Sequence, residues 1–441
     1  MVAPAGIAPM RLMTTKKKME GADGGLRACA SRLALKEMPS MPGKQLVRGA
    51  VALLAIVGAA SAATAGNYDT GATDTSIKLG QTMPYSGPAS AYSAIGRAEI
   101  AYFKMLNDKG GINGRKVELL SMDDGYSPSK TVEQVRRLAE SDEVLAMFSM
   151  LGTGPNIAAQ KYLNAKKIPQ LFPSSGASRW NDPQHFPWTT GSQPTYRTEG
   201  RIYAKWILAN KPDAKIAVIT PNEDPGRDYL AGFKEGLGEH VNQIVSEATY
   251  ETSDPTVDSQ IVKFKAAGAD VVFNECTPKF AAQAIKKMAE LGWKPQIILP
   301  AVSNSVGSVL APAGLENSVG IVTGAFQKDP GDPRWENDAG MKAWREWMKT
   351  YNSGADPADV FNVTGYTMAQ IMELVLQRAG NDLTRANLMK QTQSFKDVEL
   401  PMLLPGIKLN TSAEQVTPIR QLQMARFNGK SWELFGDVIG E

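Results

Sequence analysis

The stretch that most constrains this chain runs over residues 77–132. It opens with an apolar run, Ile77-Lys78-Leu79-Gly80-Gln81-Thr82-Met83, and breaks at Pro84-Tyr85-Ser86-Gly87-Pro88. An amphipathic segment, residues 94–107, follows. It is closed by Lys109-Gly110-Gly111-Ile112-Asn113-Gly114-Arg115. A second strand-like run, residues 116–122, ends in Asp123-Asp124-Gly125, and Ser127-Pro128 begins the next helix with serine as N-cap and proline in the first turn. Strand, helix, strand, helix is the grammar of a parallel sheet covered by helices. Such sheets bind ligands in the loops that leave the carboxyl ends of their strands. The turn at residues 110–114 has three glycines, which lets the chain leave a helix and re-enter the sheet sharply.

The first 65 residues do not read as part of that fold. Lys44 and Arg48 precede an apolar run, residues 49–58, and the small residues Ala60-Ser61-Ala62 and Ala63-Thr64-Ala65 follow. This is the order of a secretory signal peptide, with cleavage expected after Ala62 or Ala65. The run is too short to span a bilayer. Residues 1–40 are Lys-rich and aperiodic, as expected of an over-extended start with Met38 or Met41 as the initiator. The leader holds nine Lys/Arg and three Asp/Glu, so its removal takes the formal charge from +3 to −3. The apparent basicity therefore says nothing about nucleic acid, and no basic stripe with interleaved aromatics points to it. Cys276 is the one cysteine after the leader, and no cysteine stands at the cleavage site, so neither an internal disulfide nor a lipid anchor is expected. Two histidines, His185 and His240, and one cysteine make a zinc site improbable.

The alternation persists down the chain. Helices are expected over residues 128–141, 156–166, 197–209, 228–240, 257–267, 278–291, 333–351, 361–378 and 384–393. Strands are expected over 144–149, 168–172, 215–220, 243–250, 270–274, 296–300, 406–409 and 421–428, the last with an Asn428-Gly429 hairpin turn. Residues 179–193 are aperiodic and read as a crossover between two lobes. About 376 residues after the leader also favour two domains.

The run 77–83, the loop 84–92, the glycine turn 110–115 and Asp123-Asp124 together resemble the branched-chain amino acid binding proteins, periplasmic solute receptors of ATP-driven importers. The similar register continues through almost all of residues 76–441. The resemblance implies an α/β fold of two doubly wound parallel-sheet lobes joined by three crossover segments, the Venus-flytrap arrangement of type I periplasmic binding proteins. It assigns residues 76–193 with 326–411 to the first lobe and 194–325 with 412–441 to the second. It implies a periplasmic monomer that needs no cofactor and has two kinds of partner, a small-molecule ligand and the membrane permease of an ABC importer.

The strand ends expected to face the cleft are rich in glycine, serine, threonine or acid. Gly152-Thr153-Gly154 opens a helix, where unpaired amides and the helix dipole favour a carboxylate. From residue chemistry alone an ordinary turn is the better reading; the resemblance makes it ligand contact. Ser174, Ser175 and Gly176 match a loop that completes the carboxylate site in the family, and Tyr92 matches an aromatic residue that covers the ligand side chain. The second lobe departs from the pattern. The family's carboxylate for the ligand ammonium falls at Ala301, in the Ala301-Val302-Ser303 loop. One family tyrosine falls within Asn274-Glu275-Cys276-Thr277, and another at Pro225. The family serine falls at Gly152, and the disulfide cysteines fall at Tyr126 and Leu151. Asp224 or Glu275 could supply the missing anion, with Thr277 and Ser303 beside them; otherwise the ligand carries no ammonium. The expected solute is a small carboxylate, with amino acid and aromatic or aliphatic acid both open. An enzyme is disfavoured: there is no nucleophile elbow, and His185 could serve only as a lone base. A ligand-sensing subunit would look the same in sequence.

Overall fold

The computed structural model describes residues 66–440; the leader, its apolar run and the cleavage positions lie outside the described residues. Thirteen strands occur in chain order: β1 (Asn67–Tyr68), β2 (Ser76–Met83), β3 (Lys116–Asp123), β4 (Ala146–Phe148), β5 (Gln170–Leu171), β6 (Ile216–Pro221), β7 (Ile244–Tyr250), β8 (Val271–Asn274), β9 (Gln296–Leu299), β10 (Val322–Ala325), β11 (Asp382–Leu383), β12 (Gln421–Phe427) and β13 (Trp432–Gly440). They form two principal sheets. The first has the order β3-β2-β4-β5 and is parallel throughout. The second has the order β13-β12-β10-β9-β8-β6-β7, parallel from β7 to β10, with β12 and β13 added antiparallel. Each sheet starts on an inner strand, steps outward one way, then returns and steps outward the other way. The reversal falls between β2 and β4 in one sheet and between β6 and β8 in the other. Those are the switch points at which adjacent loops diverge and open a crevice.

The first sheet is covered by Ser93–Asp108, Pro128–Glu140 and Thr153–Ala165, with Phe361–Ala379 packed on the first of these. Phe103, Phe148, Phe172, Trp344 and Met372 are buried in that core. The second sheet is covered by Tyr196–Asn210, Asp224–Leu237, Asp258–Ala266 and Pro278–Glu290, around Tyr203, Phe233, Phe264, Phe273 and Phe280. The glycine turn behaves as its composition requires. Gly111 has φ +75°, its amide donates to Leu106 O at 2.8 Å, and a Cβ there would lie 2.1 Å from Arg115 O. Asp123 and Asp124 order the next loop. Asp123 accepts from Ser86 and Gly125, and Asp124 accepts from Tyr126 N and Thr131 Oγ1.

Several expectations are corrected. Residues 406–409 form no strand; Leu409 makes a single bridge with Val398, because Pro405 and Gly406 interrupt pairing. The helix expected over 333–351 is a 3₁₀ turn at Pro333–Trp335 followed by a helix at Ala339–Tyr351, divided by Asp338, whose carboxylate caps Met341 N. The helix expected from residue 228 begins at Asp224. Ser127 holds the N-cap position, but its side chain makes no cap bond. The β1–β11 pair and the π-helical turn at Val306–Leu310 carried no signal in the sequence.

One buried acid in the first sheet makes stability depend on pH. Glu99 is fully enclosed between β2 and its helix and is bonded to Gln81 Nε2, and burial lifts its carboxyl to about 8. The folded protein keeps this proton over a range where the unfolded chain loses it. Its contribution to stability is therefore full below about pH 4.5 and falls as pH rises toward 8, by up to about 1.4 kcal/mol per unit. Urea denaturation should show Glu99→Gln losing less stability than wild type between pH 5 and pH 8. The slope that remains is expected from the other acids raised by burial, Glu199, to about 7, and Glu275 among them.

Candidate functional site

The loops after β2, β4, β6, β8 and β9 meet in one cleft. Its polar groups are mostly hydroxyls and amides, from Tyr92, Tyr126, Thr153, Tyr196 and Gln327, together with the carboxyl of Glu275. Ile95, Leu151, Val302, Val360 and Phe361 supply apolar wall. None of the described residues lining the cleft is Lys, Arg or His. Nor do the described residues hold a cluster of three His, Cys, Asp or Glu side chains suited to a metal.

Gly152 ends the bridge from β4 and caps the helix Thr153–Ala165 with φ 93° and ψ 147°, a conformation side chains rarely adopt. A Cβ there would lie 2.5 Å from the Tyr126 ring, so the missing side chain also lets the phenol cross the helix start. Thr153 turns its hydroxyl to Ser175 Oγ at 2.8 Å. Ser175 in turn accepts from Trp180 Nε1 at 2.9 Å and stands behind the lining rather than on it. Gly176 also lies behind: its carbonyl accepts from Tyr196 N at 2.7 Å, and a Cβ would strike the Tyr196 ring. Tyr92 packs on Phe361 with ring centroids 5.1 Å apart, and burial raises its phenol well above the usual range. Tyr196 stacks on Tyr229 at 4.4 Å and is raised by burial to about 12.

On the other side, Glu275 is 3% exposed and its Oε2 has no hydrogen-bond partner among the described residues. Burial drives its carboxyl well above the ordinary range, and Glu223 and Glu199 push it the same way. Thr277 lines the cleft while its amide donates to the Tyr250 hydroxyl at 2.8 Å. Ala301 lines it too, with its amide donating to Glu199 Oε2 at 3.0 Å. Ser303 is buried beneath, its hydroxyl donating to Cys276 O. Asp224 faces solvent and pairs with Arg227; the neighbouring Glu223 is the acid that reaches inward, accepting from the Tyr126 hydroxyl at 3.4 Å. Of the residues singled out from sequence, the fold thus brings Tyr92, Gly152, Thr153, Ser174, Glu275, Thr277 and Ala301 to the cleft. It leaves Ser175, Gly176, Asp224 and Ser303 off its lining. Tyr126, Gln193, Tyr196, Gln327 and Phe361 line it without having been singled out. Only the run Gln193-Pro194-Thr195-Tyr196 at a crossover could have drawn attention to any of them.

A profile of the periplasmic binding protein family matches residues 76–431. The chain belongs to that family. It is a solute-binding protein of the periplasmic binding type and not an enzyme. A Brucella abortus Leu/Ile/Val-binding protein homolog is 27% identical over 333 residues, covering 73% of this chain and 84% of the relative. A Thermus thermophilus branched-chain amino acid ABC transporter structure with bound valine superimposes with a TM-score of 0.76 at 17% identity, over 84% of this chain and 98% of that one. An R. palustris solute-binding protein in complex with benzoate gives 0.70 at 21% identity, over 83% and 98%. Both structures share the type I fold of two lobes and mostly parallel sheets.

Gly152 and Gly154 offer a paired test of the helix start. Gly152→Ala should lose about 1–3 kcal/mol in urea denaturation, from backbone strain and displacement of Tyr126. Gly154→Ala should be neutral or slightly stabilising, since its Cβ would meet only Pro128 Cγ at 3.7 Å.

Proposed function

We propose that this protein is the soluble receptor of an ABC importer, capturing a small carboxylate-bearing solute between its lobes and delivering it to the membrane permease. The observation that carries the reading is the position of the cleft. It lies at the switch points of both sheets, with a helix start at Thr153 on one side and the apolar and hydroxyl-bearing loops of both sheets around it. The amides at that helix start, with Thr153 Oγ1 and the Ser174 loop, take the carboxylate. Tyr92, Tyr126 and Tyr196 close over the rest. The lobes comprise residues 76–193 with 326–411, and 194–325 with 412–441. Export follows from the leader, which is removed after Ala62 or Ala65, and the mature chain acts as a periplasmic monomer.

Glu275 favours an α-amino acid as the second reading, because its unpartnered oxygen would accept an ammonium. The two readings differ in protons. Burial raises the Glu275 carboxyl, and a bound ammonium would draw it back toward its ionised form, so an amino acid should release protons on binding. An aromatic or aliphatic acid brings no cation and gives Glu275 no reason to release any. Calorimetry in two buffers of different ionisation enthalpy separates them.

Closure is supported by hydrogen bonds that join the lobes without touching the cleft. Asp359, at the start of Phe361–Ala379, accepts from Ser305 Oγ at 2.8 Å and Ser308 Oγ at 2.5 Å. Asp228 accepts from Ser178 N at 2.8 Å and from its hydroxyl. A thermal-shift screen of amino acids, aromatic acids and short aliphatic acids should find a ligand that stabilises the protein by about 2.7 kcal/mol at a hundredfold excess over Kd. No shift from any of them would overturn the carboxylate reading. For the ligand found, Asp359→Ala should weaken binding roughly tenfold or more, although Asp359 does not line the cleft.

A further inference from the structure

One amide in the cleft is only half used. Gln327 lies two residues beyond the end of β10 and is 7% exposed. Its Oε1 accepts from Thr364 Oγ1 at 2.9 Å, and its Nε2 has no hydrogen-bond partner among the described residues. The same residue lines a second, smaller cavity, which shares Asn304, Ala325 and Val360 with the cleft. Thr153, Ser174 and Glu275 line the first space alone. Gln327 therefore stands where the cleft continues into the second cavity, away from the helix start. The two acids of the second cavity are already engaged. Asp329 accepts from Gly331 N and Trp432 N, and Asp332 accepts from Arg334.

The orientation of the amide does not change the outcome. Thr364 Oγ1 also lies 3.3 Å from Val360 O, to which it can donate. Turned by 180°, the amide would donate to Thr364 and leave its oxygen free instead. One polar atom of a buried side chain is unmatched either way. A ligand that presents only hydrocarbon there leaves it so, and forgoes about tenfold or more in affinity. A hydroxyl both donates and accepts, and so matches either orientation.

We propose that Gln327 is a specificity-determining residue and that the solute is a hydroxyl-bearing carboxylic acid, its hydroxyl set on Gln327 toward the second cavity. This rests on the carboxylate-binding reading above. It separates the protein from receptors selective for purely hydrocarbon side chains.

The test is calorimetry on the mature protein with matched probes: benzoate and 4-hydroxybenzoate, hexanoate and 6-hydroxyhexanoate, valine and threonine. In at least one pair the hydroxylated member should bind tenfold or more tighter, and Gln327→Leu should bring that pair within about twofold. A merely structural glutamine would instead weaken both members alike, which overturns the proposal. Equal binding within every pair that binds overturns it too, while sparing the carboxylate reading. The wild-type comparison stands even if the variant does not fold. If no member of any pair binds, both readings fall together.

Discussion

A parallel strand can be followed by another only after the chain has travelled back along the outside of the sheet, so all the strands of such a sheet end on the same side. The rest of this molecule depends on that constraint. It forces the loops after β2 and β4 to emerge together, and likewise those after β6 and β8. Where the winding reverses, neighbouring loops part. Two sheets with the same winding give two partings, and their meeting makes the cleft. The hydrophobic cores fix the strand ends to within the tolerance a small ligand needs, and Tyr196 and Phe326 of those cores also line the cleft.

The electrostatics of the cleft follow from what is missing at its walls. With no cationic side chain lining it, an anionic ligand must rely on amides and hydroxyls, which give direction at little desolvation cost. The acids Glu199, Glu223 and Glu275 are all shifted upward by burial. An upward shift makes each less fully charged than a solvated carboxylate, so the three repel an anion less than three full charges would. Glu199 spends one oxygen on Ala301 N and the Tyr203 hydroxyl, and Tyr203 in turn holds Gly324 N of β10. The floor of the cleft is thereby tied to β10, the strand that leads to Gln327.

Much of this was legible in the sequence, for local reasons. The strand runs and the glycine turn announce themselves because apolar period and positive φ are properties of consecutive residues. Gly152-Thr153 was legible because a helix start is a local motif. Asp224 and Glu223 show the limit. The two are adjacent, but Glu223 is the extended residue before the helix and Asp224 the first helical one, so their side chains diverge. No composition rule resolves a one-residue difference of that kind. Tyr126 and Gln327 were illegible because their setting is made by distant partners, Glu223 for one and Thr364 for the other. The tail strand at 406–409 failed because a short apolar run carries no information on whether an edge is available to pair with.

On the proposed function, the serine–aspartate bonds at Asp359 and Asp228 would bear on how a transporter recognises its cargo carrier. Because they join protein to protein, the work of bringing the proposed lobes together would be shared between the solute and the polypeptide. Outline alone would then be a poor signal of loading. A permease that docks onto such a carrier would have to read dwell time, distinguishing a shape that lasts from one that only flickers.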